Sequence, residues 1–100
     1  MIELKIDTKY NIDFTTRFKK QFKNSLKQGK DVFKLIYVIE KLANKERLGF
    51  KYRDHALIKD KNYTNCRECH IEPDWLLIYE YQEDKLVLLL VGTGSHSDLF

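Results

Sequence analysis

The sequence predicts a single α+β domain over residues 1–100, in which two N-terminal helices pack on an antiparallel β-sheet. Apolar residues recur at helical spacing in the first half of the chain and alternate at strand spacing in the last third. The chain has 100 residues, which suits one domain with one main core. A helical half followed by a strand-rich half is typical of the α+β class.

The first helix is predicted from a stripe of large apolar residues. Thr15 or Thr16 can cap its start, and Gly29 is suited to ending it. Alternation over residues 10–14 indicates a short strand before the helix. The stripe, at intervals of four residues, consists of Phe14, Phe18, Phe22 and Leu26.

The second helix is predicted to begin after Asp31, which can cap it, and to form an αα-hairpin with the first. Residues 44–64 lack periodicity and are expected to form a long basic loop, which in a compact domain is functional or mobile. Residues 1–8 are expected to be a short N-terminal extension, either a strand or an arm. The apolar face of the second helix consists of Val32, Leu35, Ile36, Ile39, Leu42 and Ala43.

Three strands are predicted after the loop. Residues 66–71 alternate, and Pro73 ends that strand because proline cannot donate to a ladder. Residues 75–81 alternate between two apolar faces, whereas residues 86–91 are apolar on both faces and read as a central buried strand. The glycine-rich residues 92–94 are expected to turn the chain into a short tail.

The net charge of +3 is unevenly distributed, since residues 1–61 carry 16 of the 18 Lys and Arg residues and 8 of the 15 Asp and Glu residues. A basic half suggests a polyanionic partner on one face, although solvated lysine-rich helices have the same composition. The sequence lacks a secretory signal pattern, and the longest aliphatic run, residues 86–91, is too short to span a bilayer. We therefore expect a soluble, cytoplasmic protein that has no membrane partner.

Cys66, Cys69 and His70 form the C-x-x-C-H pattern of c-type haem attachment. Haem is not expected, because Met1 is the only methionine and residues i and i+3 of a strand point to opposite faces. Zinc lacks the usual second pair of ligands. The sequence thus predicts two reduced thiols that pack as small apolar groups, with neither a metal nor a cofactor.

The three histidines, His55, His70 and His96, are all predicted in loops or at strand ends, where sites are usually built. Asp74 follows His70 across the predicted turn. No nucleophile elbow or phosphate-binding loop accompanies them. The groups suit metal-free acid–base chemistry on a polyanion, since one histidine can give a proton while another takes one. A solvated histidine remains the simpler reading of each one alone.

Two C-terminal motifs resemble a known family. Residues 70–79, HIEPDWLLIY, and residues 92–100, GTGSHSDLF, look like the YafQ branch of the RelE/ParE toxin superfamily, and the likeness extends over roughly residues 9–100. The resemblance implies a RelE-like microbial RNase fold and a toxin of a bacterial type II toxin–antitoxin pair. It implies cleavage of translated mRNA on the ribosome, hence translation inhibition. The implied partners are mRNA, the ribosome and a cognate antitoxin, through which the complex binds DNA.

The same resemblance assigns roles to individual residues. The 2′-OH of the RNA would attack the adjacent phosphate, His96 would act as general acid, and a 2′,3′-cyclic phosphate would form. The other three catalytic residues would share the base role, orientation and charge stabilisation. Two aromatic residues, Trp75 and Phe100, would position the substrate. The implied catalytic set is His55, His70, Asp74 and His96.

The chain departs from the family pattern at Gly92, where relatives often carry an arginine that could stabilise the phosphorane. We expect either that another cation, Arg53, Arg67 or Lys51, substitutes for this arginine or that the enzyme is slower. A wider basic set is expected to contact RNA or the ribosome. The alternative function is a binding protein of the same fold that engages an antitoxin and another target without cutting RNA. The basic set consists of Arg17, Lys19, Lys20, Lys23, Lys27, Lys51, Arg53 and Arg67.

Overall fold

The structure is a computed structural model and describes residues 8–100. The expected strand or arm over residues 1–8 therefore falls, apart from Thr8, outside the described residues. The predicted α+β architecture is confirmed, with helices packed on a five-stranded sheet of order β1-β5-β4-β3-β2. The strands are β1 (Asn11–Phe14), β2 (His55–Ala56), β3 (Arg67–Glu72), β4 (Trp75–Gln82) and β5 (Val87–Gly94). The helices are α1 (Thr16–Lys27), α2 (Val32–Ala43) and α3 (His96–Leu99).

The sheet is antiparallel except at one edge, where β1 pairs with β5 in parallel. The predicted meander of β3, β4 and β5 is present, and β5 is an interior strand between β1 and β4. The prediction of a central strand buried on both faces is only partly correct, because β4 is the middle strand and Val87, Leu89 and Val91 of β5 are half-buried. Within residues 8–100, none of the helices combines the length and the apolar character that crossing a membrane would need.

Helix α1 begins where the sequence predicts, because the Thr15 hydroxyl accepts a hydrogen bond from the Phe18 N–H at 3.0 Å. Phe18 and Phe22 are buried, but the predicted stripe is wrong at both ends. Phe14 belongs to β1, and Leu26 is 46% exposed. An α-helix has about 3.6 residues per turn, so a four-residue interval drifts about 40° at each step. Ser25 instead takes the buried position.

Helix α2 is capped by Asp31, whose carboxylate accepts from the Phe33 N–H at 3.0 Å. The predicted face is buried at four positions, whereas Val32 and Ile36 are half-buried and Val38, which was not predicted, is buried. The predicted loop of residues 44–64 is interrupted by a 3₁₀ turn, Phe50–Tyr52, and by the edge strand β2. The four predicted positions that are buried are Leu35, Ile39, Leu42 and Ala43.

Residues 92–94 do not form the predicted turn. They continue β5, where Gly92 pairs with Ile78 and Thr93 pairs with Leu77. Gly92 permits a close approach of Gln21, because a Cβ at position 92 would lie 2.8 Å from Oε1 of Gln21 and would displace that side chain. That oxygen accepts the Thr93 N–H at 3.0 Å and so ties α1 to β5. The predicted tail then forms the short helix α3.

The two faces of the sheet carry separate apolar clusters. The main core joins α1 and α2 to one face and includes Leu77, Tyr79, Leu88 and Leu90. A smaller cluster on the other face is built around Leu76, Ile78, Tyr63, Cys66 and Leu99. This second face is covered by α3 and the loop after β2, which leaves room for polar groups beside it.

The two thiols point to opposite faces, as the alternation predicts, since Cys69 lies in the main core and Cys66 in the smaller cluster. Burial raises the pKa of Cys66 to about 11 and raises the pKa of Cys69 as well. Neither side chain is therefore a thiolate at neutral pH.

We expect an aromatic disulfide reagent to label both thiols slowly in the folded protein and rapidly in urea, because labelling requires an accessible thiolate. The measurement is the absorbance of the released thiolate over time, and Cys66→Ser resolves the two sites. Rapid stoichiometric labelling without urea would contradict the burial of these side chains.

Candidate active site

Two of the predicted catalytic histidines meet at a buried carboxylate. The antiparallel pairing of β2 and β3 places His55 opposite Glu68, and alternation places His70 on the same face as Glu68. Oε1 of Glu68 lies 3.5 Å from Nε2 of His55 and 3.7 Å from Nε2 of His70. Glu68 is 6% exposed, so water compensates little of its charge, and the two imidazoles are the partners available to it.

The outer nitrogens of both rings are held by backbone carbonyls. Nδ1 of His55 lies 2.6 Å from the Arg53 carbonyl oxygen, and Nδ1 of His70 lies 3.2 Å from that of Pro73. Because a carbonyl oxygen can only accept, each Nδ1 carries the hydrogen and donates it. In both neutral rings Nε2 is therefore the atom that can take a proton, and Glu68 compensates the charge that results.

Asp74 and His96 meet at the same end of the sheet. Oδ1 of Asp74 accepts the backbone N–H of His96 at 3.2 Å, which fixes the start of α3. The register aligns His70 with Leu76 and Leu76 with Gly94. His70 and Gly94 are therefore two strand spacings apart, or about 10 Å. The imidazole of His96, two residues beyond Gly94, is exposed near this end.

A capping box stabilises α3. The Ser95 hydroxyl accepts from the Asp98 N–H at 3.2 Å, and the Asp98 carboxylate accepts from the Ser95 N–H at 3.0 Å. Hydrogen bonding of the carboxylate to the Ser95 backbone N–H, and then to the Ser95 side chain, lowers the pKa of Asp98. Such reciprocal hydrogen bonds fix the first turn of a helix that is otherwise too short to be stable by itself.

An aromatic row leads from α3 to α1. The ring centroids of His96 and Phe100 are 4.9 Å apart, and those of Phe100 and Tyr63 are 5.4 Å apart. The guanidinium carbon of Arg17 lies 5.1 Å from the Tyr63 ring centroid. The Tyr63 hydroxyl donates to the Leu99 carbonyl at 2.6 Å, which locks the row to α3. Phe100 is 46% exposed and is open to a ligand.

The structure corrects the substrate-positioning role that was predicted for Trp75. Its side chain is 1% exposed and packs in the main core, and its Nε1–H donates to the Thr93 hydroxyl at 2.9 Å. Thr93 in turn donates to the Leu76 carbonyl at 2.8 Å. A substrate cannot reach this indole in the structure, so Trp75 supports the site by holding β4 to β5.

Arg67 is also placed differently from the prediction. Its guanidinium donates to Oδ1 of Asp54, with Nε at 2.9 Å, and the other oxygen of Asp54 accepts from the Tyr79 hydroxyl. Arg67 and Glu68 are consecutive in β3 and point to opposite faces. Arg67 therefore lies on the helix side of the sheet and cannot take the place of an arginine at position 92.

The remaining predicted cations fall into three groups. Arg17 is the α1 cation that reaches the aromatic row, and Lys51 and Arg53 line a cleft beside His70. The other α1 cations, which are exposed, are Lys19, Lys20, Lys23 and Lys27.

Sequence reasoning missed two members of this site, Glu68 and Tyr63, and the contact between Arg17 and the aromatic row. Glu68 alternates with His70 in a predicted strand, which is a signal for a shared face. Within residues 8–100, no group of three or more His, Cys, Asp and Glu side chains is arranged to hold a metal ion.

The family described as a bacterial toxin of type II toxin–antitoxin systems, YafQ, matches residues 10–100. The chain belongs to the YafQ toxin family. It is 38% identical over 91 residues to the mRNA interferase toxin YafQ of Escherichia coli strain B, which covers 90% of this chain and 95% of that protein.

Solved structures of YafQ-like toxins have the same fold. A metal-bound toxin from Helicobacter pylori has a TM-score of 0.84 and 38% identity, covering 91% of this chain and 99% of that one. The toxin chain of the E. coli DinJ–YafQ toxin–antitoxin complex has a TM-score of 0.81 and 33% identity, covering 92% and 98%. The chain is thus a type II toxin of the YafQ family.

Proposed function

We propose that this toxin is a metal-independent endoribonuclease that cleaves translated mRNA. The observation that carries the proposal is the pair of imidazoles around Glu68, with His96 at the same end of the sheet. The histidine pair can take a proton on one side of the site, and His96 can give one on the other side. This arrangement suits a substrate that carries its own nucleophile. RNA does so, because its 2′-OH lies next to the scissile phosphate.

The proposed reaction is a transesterification. Nε2 of His55 or His70 takes the proton of the 2′-OH, whose oxygen attacks phosphorus. The bond between phosphorus and the 5′ oxygen breaks, and His96 gives that oxygen a proton. The products are a 2′,3′-cyclic phosphate and a 5′-OH end. Asp74 acts by positioning His96 through its backbone, and each proton transfer contributes about 10²–10⁴ in rate.

Glu68→Gln tests the carboxylate between the two imidazoles. The amide keeps the shape of the side chain but cannot compensate a charged ring, so we expect the cleavage rate to fall about 10–100-fold. The measurement is single-turnover cleavage of an RNA oligonucleotide. Glu80→Gln, on the neighbouring strand β4, is the control and should cleave at the wild-type rate. An unchanged rate for Glu68→Gln would remove Glu68 from the mechanism.

Arg17→Ala tests the cation at the end of the aromatic row. In the proposed complex the Arg17 guanidinium binds a phosphate oxygen of the RNA. We expect its loss to lower the cleavage rate about tenfold or more. Lys20→Ala removes an exposed charge from the same helix and controls for net charge. If both variants lost the same small factor, Arg17 would act through general electrostatics alone.

The overall proposal is tested by expressing the wild type beside the His55→Ala/His70→Ala double variant in a bacterium and mapping mRNA 5′ ends. New ends within reading frames, present for the wild type and absent for the variant, are expected. Growth arrest by both proteins without new ends would overturn the nuclease and favour a toxin that acts by binding.

Two further parts of the proposal concern metals and ribosomes. Cleavage by purified protein is expected to continue in a chelator, and this test matters because one similar toxin was solved with a bound metal. Loss of activity in the chelator would overturn the metal-free mechanism.

Cleavage is expected to be faster on a translated message than on the same RNA without ribosomes.

The neutralising partner is proposed to be an antitoxin, since a relative is known in a complex of that kind. We infer that such a partner covers the exposed histidine end of the sheet. The toxin would act in the cytoplasm, where mRNA is translated.

A further inference from the structure

A cleft of about 710 Å³ opens beside the candidate active site. It lies between the start of α2, the 3₁₀ turn Phe50–Tyr52 and the turn that joins β3 to β4. His70 lines one end of it, and Arg53, whose carbonyl oxygen holds the ring of His55, lines it as well. The cleft therefore borders one of the predicted catalytic histidines, His70.

One wall of the cleft carries exposed aromatic rings. Phe33 is 76% exposed and Tyr37 is 52% exposed. They are four residues apart on α2, so they lie on the same helix face about 6 Å apart along its axis. Rings of this size are rarely left so open without a partner. Their separation is comparable with that of neighbouring bases in an extended single strand.

The opposite wall carries cations whose charge is not compensated nearby. Within residues 8–100, no carboxylate oxygen lies within 4.0 Å of the side-chain nitrogens of Lys51 or Arg53. The two acids of the cleft are already engaged. Asp31 caps α2, and Glu72 pairs with Lys34 at 2.8 Å. The cleft is thus available to an anion.

We propose that this cleft binds single-stranded RNA that flanks the scissile phosphate. Bases stack on Phe33 and Tyr37, and the phosphates of the same strand lie at Lys51 and Arg53. Aromatic platforms beside a cationic groove are the arrangement that binds single strands without sequence preference. The inference rests on the proposed function, because it extends the RNA from the catalytic histidines into the cleft.

The test measures RNA binding without cleavage. A 2′-O-methyl RNA of about ten nucleotides cannot react, because its nucleophile is blocked. Its affinity is measured by fluorescence anisotropy, beside that of a 2′-O-methyl dinucleotide that spans the scissile position alone. The proteins are the wild type, Phe33→Ala/Tyr37→Ala and Lys51→Ala/Arg53→Ala. Leu86→Ala, which trims a 54% exposed side chain at the opposite end of β4 and β5, is the control.

We expect the aromatic variant to bind the longer RNA at least tenfold more weakly and the dinucleotide unchanged. The cationic variant should lose affinity and show a salt dependence that is shallower by about one unit per removed charge. Leu86→Ala should match the wild type. Circular dichroism checks that each variant is folded, which is expected because the altered side chains are at the surface.

Wild-type affinity of the aromatic variant for the longer RNA would overturn the inference, as would failure of the wild type to distinguish the longer RNA from the dinucleotide. Loss of antitoxin binding with unchanged RNA affinity would assign the cleft to a protein instead. These outcomes are independent of cleavage, so they separate an error in this inference from an error in the proposed nuclease.

Discussion

His96→Ala is expected to lower the rate of RNA cleavage about 10²–10⁴-fold while leaving the fold intact. The imidazole is exposed and its contact in the structure is the ring of Phe100, so its removal creates no cavity. The backbone N–H that Asp74 accepts is kept in alanine. The loss should therefore come from the missing proton donor.

A substrate with sulfur in place of the 5′ oxygen identifies the missing step. A thiolate leaves without a proton far more readily than an alkoxide does, because a thiol has an ordinary pKa of about 8.5. We expect His96→Ala to cleave the sulfur substrate nearly as fast as the wild type does. His55→Ala/His70→Ala should be slow on both substrates, and Ser97→Ala should be normal on both. If sulfur did not rescue His96→Ala, His96 would not be the general acid.

Local patterns were sufficient for β1, α1, α2 and the three strands of the meander, and for the faces of β4. Strict alternation separated Trp75, Leu77 and Tyr79 of the main core from Leu76 and Ile78 of the smaller cluster. Local patterns were insufficient where tertiary contacts determine the backbone conformation. Gly92 resembled part of a turn, but its lack of a side chain accommodates Gln21 of α1. The parallel pairing of β1 with β5 depends on a crossover that no local spacing encodes.

The candidate site could also be predicted from the sequence only in part. The histidines could be singled out by residue type, but their predicted placement in loops or at strand ends was inexact. The structure places His55 in the edge strand β2, His70 within β3 and His96 at the start of α3. The role of Glu68 depends on the register of β2 against β3, which places His55 opposite it. Tyr63 lies in an aperiodic segment, and its packing on Phe100 results from how that segment folds back on α3. Such contacts are properties of the folded sheet.

Trp75 separates the role implied by family resemblance from the role that the structure gives it. We expect Trp75→Ala to lower the free energy of unfolding by about 3–5 kcal/mol, because it empties a large site in the main core. Trp75→Phe keeps most of the ring volume but loses the hydrogen bond to Thr93. Its cost should be about 1–2 kcal/mol, since the Thr93 hydroxyl still donates to Leu76.

The two variants are compared by urea denaturation followed by circular dichroism, since Trp75 is the only tryptophan and its fluorescence is lost in both. Cleavage is then measured at a temperature where each variant is folded. If Trp75 acts by packing, Trp75→Phe should cleave within a few-fold of the wild type. A folded Trp75→Phe with cleavage reduced as far as that of His96→Ala would mean that the indole contacts RNA. That result would require the main core around Trp75 to open when the substrate binds, because the buried indole is otherwise out of reach.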